Sequence, residues 1–264
     1  MSKNLRKSAL AAAISVALTV GAASQAVAAP YFQYDFDGVA GGSTVSANSV
    51  SGVSSEHLQV TSANTFAGAG WVQFTSLNDG SAALPNTAYA NTGLYGLFNI
   101  GVQLTSGPFG QPTSFYDVTS FTFNIYRDLG AANVFTQANA TTLTQATVSN
   151  TVGDLLLGGG TLSSLGFAFI APGNGAGLNV ATNFALTIDG DDYFFDPSPF
   201  YSQALAAFNS TGGQWAFNQG AGFASIGNAT GIVDFNVPEP GSLALLGLGL
   251  VGLGLGSLRR KQVA

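Results

Sequence analysis

Apolar and polar residues alternate with period two along much of the chain. In SFTFNIY (120–126), Phe121, Phe123 and Ile125 share one face of an extended segment. Phe184, Leu186 and Ile188 do the same in NFALTID. In GIVDFNV, Val233, Phe235 and Val237 set Asp234 and Asn236 on the opposite side. The longer run GLYGLFNIGVQLTSG puts Phe98, Ile100, Val102 and Leu104 on one face, with Asn99 and Gln103 across from them. AGWVQFTSL and HLQVTS read as shorter strands. Clusters of Gly, Pro, Asn and Ser bound each run, the punctuation of antiparallel sheets. Helical signal is thin: PFYSQALAAFNS (199–210) suits two turns after Pro199, and SNTVGDLLLGGG suits one more. Many short strands and few helices predict an all-β fold, an antiparallel β-sandwich with a few short helical turns. A β-solenoid would need a fixed repeat period, and none is present.

The two ends break this pattern with unalternating apolar runs. Lys3, Arg6 and Lys7 precede an uncharged stretch from Ala9 to Val20, and small residues follow. Basic start, short apolar segment and small-residue site are the plan of a secretory signal, with Ala26 and Ala28 supplying the A-x-A cleavage pattern. Residues 1–28 are therefore expected to be removed by signal peptidase. Near the other end, 242–258 is a 17-residue uncharged run followed at once by Arg259, Arg260 and Lys261. As a helix it would reach about 25 Å, at the short limit of what spans a membrane, and the basic cluster would hold its end in the cytoplasm. Just ahead, the two prolines of Val237-Pro238-Glu239-Pro240 forbid helix and strand pairing, so this junction is expected to be extended and accessible. The division predicted is a signal peptide (1–28), a secreted β-rich domain (29–236) and a terminal sorting segment (237–264).

Pro-Glu-Pro, a short Gly/Leu-rich span and then Arg-Arg-Lys resemble the PEP-CTERM sorting signal of Gram-negative bacteria. The resemblance implies handling by an exosortase, transient membrane insertion through the C-terminal helix, and export alongside exopolysaccharide to the cell surface or matrix. Three further stretches, TGLYGLFNI (92–100), GDDYFFDPSPFYSQALAAFN (190–209) and GIVDFNVPEP (231–240), are similar to the flocculation-associated PEP-CTERM proteins. That likeness implies a surface protein that holds cells together within exopolysaccharide, in flocs or biofilm, and it brings no catalytic residues.

Charge sharpens the picture. The whole chain carries −6, but Arg127 is the only base between residues 29 and 237, against twelve of the thirteen acids, so that segment stands at −11. Such a domain has no phosphate-binding footprint, which excludes nucleic acid as a partner, and it would be repelled by bare anionic membrane surfaces. Divalent cations and neutral or cation-bridged polysaccharides remain. With no cysteine in the chain, thiol catalysis and disulfide staples are absent, and about 210 residues are enough to bury a core without them.

Candidate chemistry is sparse. His57, the single histidine, follows Glu56, but neighbours on a strand point to opposite faces. No G-x-S-x-G elbow occurs, and one histidine cannot build a three-histidine zinc site. The three N-x-[ST] sites, at Asn139, Asn209 and Asn228, are what chance supplies in so Asn-, Ser- and Thr-rich a chain. The chain is therefore not expected to be an enzyme; a secreted glycoside hydrolase would need a carboxylate pair that nothing marks. Asp189, Asp191 and Asp192, with Asp196 close behind, are dense enough in oxygen to hold Ca²⁺ without meeting the EF-hand pattern; a tight Asp-Gly hairpin turn between two apolar runs is the plainer reading of the same residues. Asp35 and Asp37 make a second, smaller acidic group. Trp71 and Trp215, both in Gly-rich settings, are candidates for stacking on sugar rings, with burial as the alternative. The expected function is adhesive: association with exopolysaccharide or with itself, helped by Gly-rich strand edges that lack blocking lysines. A calcium-assisted carbohydrate-binding module is the alternative.

Overall fold

The period-two runs become strands in the structure, a computed structural model that describes residues 31–38, 42–80, 82–84, 92–130, 132–164 and 166–236. The strands are β1 (Phe32–Asp35), β2 (Thr44–Ala47), β3 (Ser49–Ser62), β4 (Thr65–Asp79), β5 (Ala82–Ala83), β6 (Leu94–Ser106), β7 (Ser114–Arg127), β8 (Val134–Thr136), β9 (Thr147–Ser149), β10 (Leu155–Leu162), β11 (Gly166–Ile170) and β12 (Ala176–Leu186). A six-residue helix, α1 (Ile188–Tyr193), leads into β13 (Phe194–Asp196), β14 (Gln203–Asn209), β15 (Trp215–Asn218) and β16 (Phe223–Asn236).

The all-β, antiparallel expectation holds, and the facing layers of a sandwich are present as opposite walls of one sheet. Around that sheet β3 pairs with β4, β4 with β6 and β6 with β7. Strand β7 pairs with β10 through residues 122–127 and with β11 through 114–118. Both of those pair with β12, which pairs with β14; β14 pairs with β16, and β16 returns to β3. The ladder therefore closes. Because β10 and β11 follow one another in the same gap between β7 and β12, the ring has eight positions, all antiparallel and met in chain order. A ring of eight has an interior that side chains just fill, or that holds one small ligand.

Alternation sorts residues between that interior and the outer surface. In β7, Tyr116, Val118, Phe121, Phe123 and Ile125 are buried, while Asp117, Thr122 and Asn124 face out. Rings meet across the interior: Phe98 of β6 stacks on Phe208 of β14 with centroids 4.8 Å apart. Glycines on the inner face leave room for these rings. A Cβ on Gly70 would stand 2.4 Å from Cζ of Phe98, and one on Gly96 would stand 2.5 Å from Cε2 of Phe123. The small sheet β13-β1-β2 adds Phe32, Tyr34 and Phe194 to the same core.

Two local expectations are corrected. Residues 203–209 form strand β14, not a helix, because Ala204, Ala206 and Phe208 all face the interior while the backbone pairs on both sides, with β12 and β16. Likewise 155–162 is strand β10, paired with β7 and β12. The helical turn falls instead at the Asp-Gly segment. There Thr187 caps α1, its Oγ1 accepting a bond from the Gly190 N–H at 3.1 Å. A side-chain oxygen at that position satisfies an amide that the helix itself cannot.

Candidate functional site

Each residue singled out above has a definite place, or lies outside the described residues. Trp71 projects from β4 onto the outer surface of the ring, but it is only 3% exposed. The segment carrying β8 and β9 lies over it. Its ring packs against Phe135 at 5.1 Å, with Ala138, Ala146 and Val148, and its Nε1–H donates to the Thr136 carbonyl at 2.8 Å. The covering segment is pinned by backbone amides. Ala138 N–H donates to Ser55 Oγ, Ala140 N–H to Ser225 Oγ and Ala146 N–H to His57 Nδ1. His57 is therefore an acceptor that anchors a loop, and partial burial lowers its pKa.

Trp215 is also buried, within the main core. Its ring edge meets Phe66 at 6.0 Å and its Nε1–H donates to the Gly110 carbonyl at 3.1 Å. Neither indole presents a face to solvent, in keeping with the burial alternative.

The acidic residues do not converge. Asp189, Asp191 and Asp192 are exposed on α1 and its first turn. Among the described residues no three His, Cys, Asp or Glu side chains group as a metal would require. Asp35 is buried and accepts the Asp37 N–H at 3.0 Å, and burial raises its pKa. Glu56 and His57 do point to opposite faces, as neighbours on a strand must.

Two features escaped the sequence reading. The first is an outer face across β7, β11, β12, β14 and β16. Register places Phe115, Phe169, Gly177 and Asn209 in one row, and Asp117, Phe167, Asn179, Ala207 and Ile232 in the next. A third row holds Ala181, Leu205 and Asp234. Phe115 is 52% exposed and Phe167 53%, and the rings of both lie 6.5 Å from that of Phe169, which covers Gly177. Phe167, Asn179, Ala181, Leu205, Ala207 and Asp234 line a groove there. Partial burial raises the pKa of Asp234, with a bond to the Ser49 hydroxyl opposing the rise. The outward alternation of phenylalanine in SFYD and GFAFI was the signal available for this face. Its assembly across five strands was not visible before the ring was known.

The second is Glu56, which faces the interior together with Ser54 and Leu58. Parity with Leu58 and Val60 in EHLQV marks it as inward. Burial pushes its pKa up to about 7, against a smaller downward pull from the Ser54 hydroxyl.

Ala26 and Ala28, the Val237, Pro238, Glu239 and Pro240 motif, the 242–258 run, and Arg259, Arg260 and Lys261 lie outside the described residues. No helix among the described residues is long and apolar enough to cross a membrane. Residues 236–261 match the PEP-CTERM protein-sorting motif. That motif marks a substrate of exosortase, secreted through the inner membrane and delivered to the cell surface or the extracellular space. No curated protein and no solved structure matches the chain.

Proposed function

We propose that this exosortase-processed surface protein supports cell aggregation, in flocs or biofilm, by associating with exopolysaccharide through the outer face that carries Phe115, Phe167 and Phe169. That face is the observation on which the reading rests. Three neighbouring rings offer apolar surfaces of the kind that stack on sugar rings. Asn179, Asn209 and Asp234 sit among them as hydrogen-bond partners for hydroxyls. No lysine or arginine lies in its three rows. With the surrounding charge at −11, a neutral or cation-bridged polymer fits better than a bare polyanion.

Closure of the ring bears on the mechanism of association. Strand-edge pairing, expected from the missing lysines, has no open edge to use in the ring itself, because a closed ladder leaves none. Association between copies then falls to the same face, where large apolar groups are exposed together.

The test is co-sedimentation of the full chain with the host's own exopolysaccharide, alongside a Phe115→Ser/Phe167→Ser double variant. Both rings point outward, so the variant should melt near the parent temperature. Retention of the parent and release of the double variant is the expected result. A parent chain that stays in the supernatant, and stays monomeric at high concentration, would overturn the proposal.

A further inference from the structure

The interior of the ring is not completely filled. A cavity of about 30 Å³ lies among Leu58, Phe66, Ile100, Tyr116, Leu178 and Trp215, and the Glu56 side chain forms part of its wall. Glu56 is 3% exposed, and its Oε1 has no partner within hydrogen-bonding distance; the Ser54 hydroxyl on the same inner face is near enough to offset the burial a little, but too far for a full hydrogen bond, and its Oγ has no other partner. Buried polar atoms are nearly always paired, and each exception needs a reason. The cost is large, since an isolated carboxylate taken out of water is strongly disfavoured. Burial accordingly holds the Glu56 carboxyl protonated up to about pH 7.

No protein cation answers it. Arg127, the one Lys or Arg among the described residues, donates to the Phe36 carbonyl and lies over the Tyr193 ring. His57 is on the opposite face of β3, holding the Ala146 amide. Tyr116 is the other titratable side chain in the wall, and its hydroxyl accepts the Gly110 N–H at 2.8 Å. The cavity thus combines an apolar lining with one carboxyl oxygen that lacks a donor. Packing alone would favour an apolar residue at this position, as at Leu58 beside it.

We propose that the ring interior is a binding site for a small apolar amine, with its ammonium on Glu56 and its carbons among Leu58, Phe66 and Trp215. The site is separate from the outer face and stands whether or not that face binds polysaccharide. The cation supplies the donor that Oε1 lacks, and the alkyl part replaces empty space. Because the carboxyl is protonated below about pH 7, uptake of an ammonium there releases one proton from Glu56 to solvent. The volume of about 30 Å³ sets the size: a head group and one or two carbons, since a water-sized group needs roughly 10–15 Å³ of such space.

The test uses the full chain with ethylamine, ethanol and acetate as probes, followed by thermal melting. Ethylamine at ten times its dissociation constant should raise the melting temperature by about 3–5 °C. Ethanol should raise it less, and acetate not at all. In Glu56→Gln, a variant of the same shape that removes the charge, the ethylamine effect should vanish. Carbon-13 resonance of the Glu56 carboxyl gives a second readout that needs no variant: ethylamine should shift its titration downward by a pH unit or more. No rise with ethylamine, an equal rise in Glu56→Gln, an equal rise with acetate, or an unmoved carboxyl titration would each overturn the proposal.

Discussion

Replacing Glu56 by glutamine should change how the stability of the protein depends on pH. In the folded chain the carboxyl keeps its proton up to about pH 7, whereas its ordinary value is 4.5. Between those values the unfolded chain binds fewer protons than the folded one, so stability falls as pH rises through this window and levels off above it. The difference is about 2.5 pH units, and at 1.36 kcal/mol per unit it amounts to about 3 kcal/mol. That is a large part of the 5–15 kcal/mol that holds a typical domain together. It corresponds to a fall of about 6–12 °C in melting temperature for a chain of this size. Asp35 and Asp234 are also shifted upward, and His57 downward; all three are unchanged in the variant and drop out of the comparison. The assay is melting followed by circular dichroism at half-unit steps from pH 4.5 to 8.5. The parent curve should fall relative to Glu56→Gln across pH 5–7 and run parallel to it above. Curves parallel throughout would mean that Glu56 is hydrated or paired, and the account of an orphaned interior carboxyl would fail.

Three other substitutions examine the packing. Trp71→Ala removes a buried ring and its bond to Thr136, and should cost about 3–5 kcal/mol. In hydrogen exchange the Ala138 and Ala146 amides should lose protection with it, and a loss below about 1 kcal/mol would show that the covering segment is not seated on the indole. Gly70→Ala puts a methyl group 2.4 Å from Phe98 and 2.6 Å from the Ser55 carbonyl. It should destabilise by about 1–3 kcal/mol in chemical denaturation, and a neutral result would mean that the Phe98 ring of the neighbouring strand moves aside at no cost. Thr187→Ala removes the cap of α1 and should cost about 1 kcal/mol by the same assay; an unchanged midpoint would argue against the cap.

Period two carried most of the fold into view from the sequence. Phe121, Phe123 and Ile125 share the interior, as do Phe98, Ile100 and Val102, and Val233 and Phe235. Where the pattern was built from alanine it was misread: QALAAFN has a helix-friendly composition, and only its two partner strands make it β14. Ile188 shows the opposite limit, since parity with Phe184 ends at the α1 cap and leaves Ile188 88% exposed. Closure of the ring could not be read, because alternation fixes which side chains share a face but not which strands are neighbours. The fate of Trp71 depended on residues 134–149, a Thr- and Ala-rich stretch with little apolar pattern of its own. For Glu56, parity with Leu58 and Val60 points inward while residue type points outward, and the sequence alone does not decide between them. The sorting motif, by contrast, needs no fold to be recognised, because Pro-Glu-Pro, the apolar run and Arg-Arg-Lys are contiguous.

The central claim is that the exported ring holds cells together through its aromatic outer face. It is tested most directly by restoring the gene to a deletion strain in two forms, parent and Phe115→Ser/Phe167→Ser, and measuring settling of the culture at matched surface levels of protein. The account predicts that the parent restores aggregation and that the double variant, displayed equally, does not. Equal settling of the two strains, or no settling defect in the deletion strain, would contradict it.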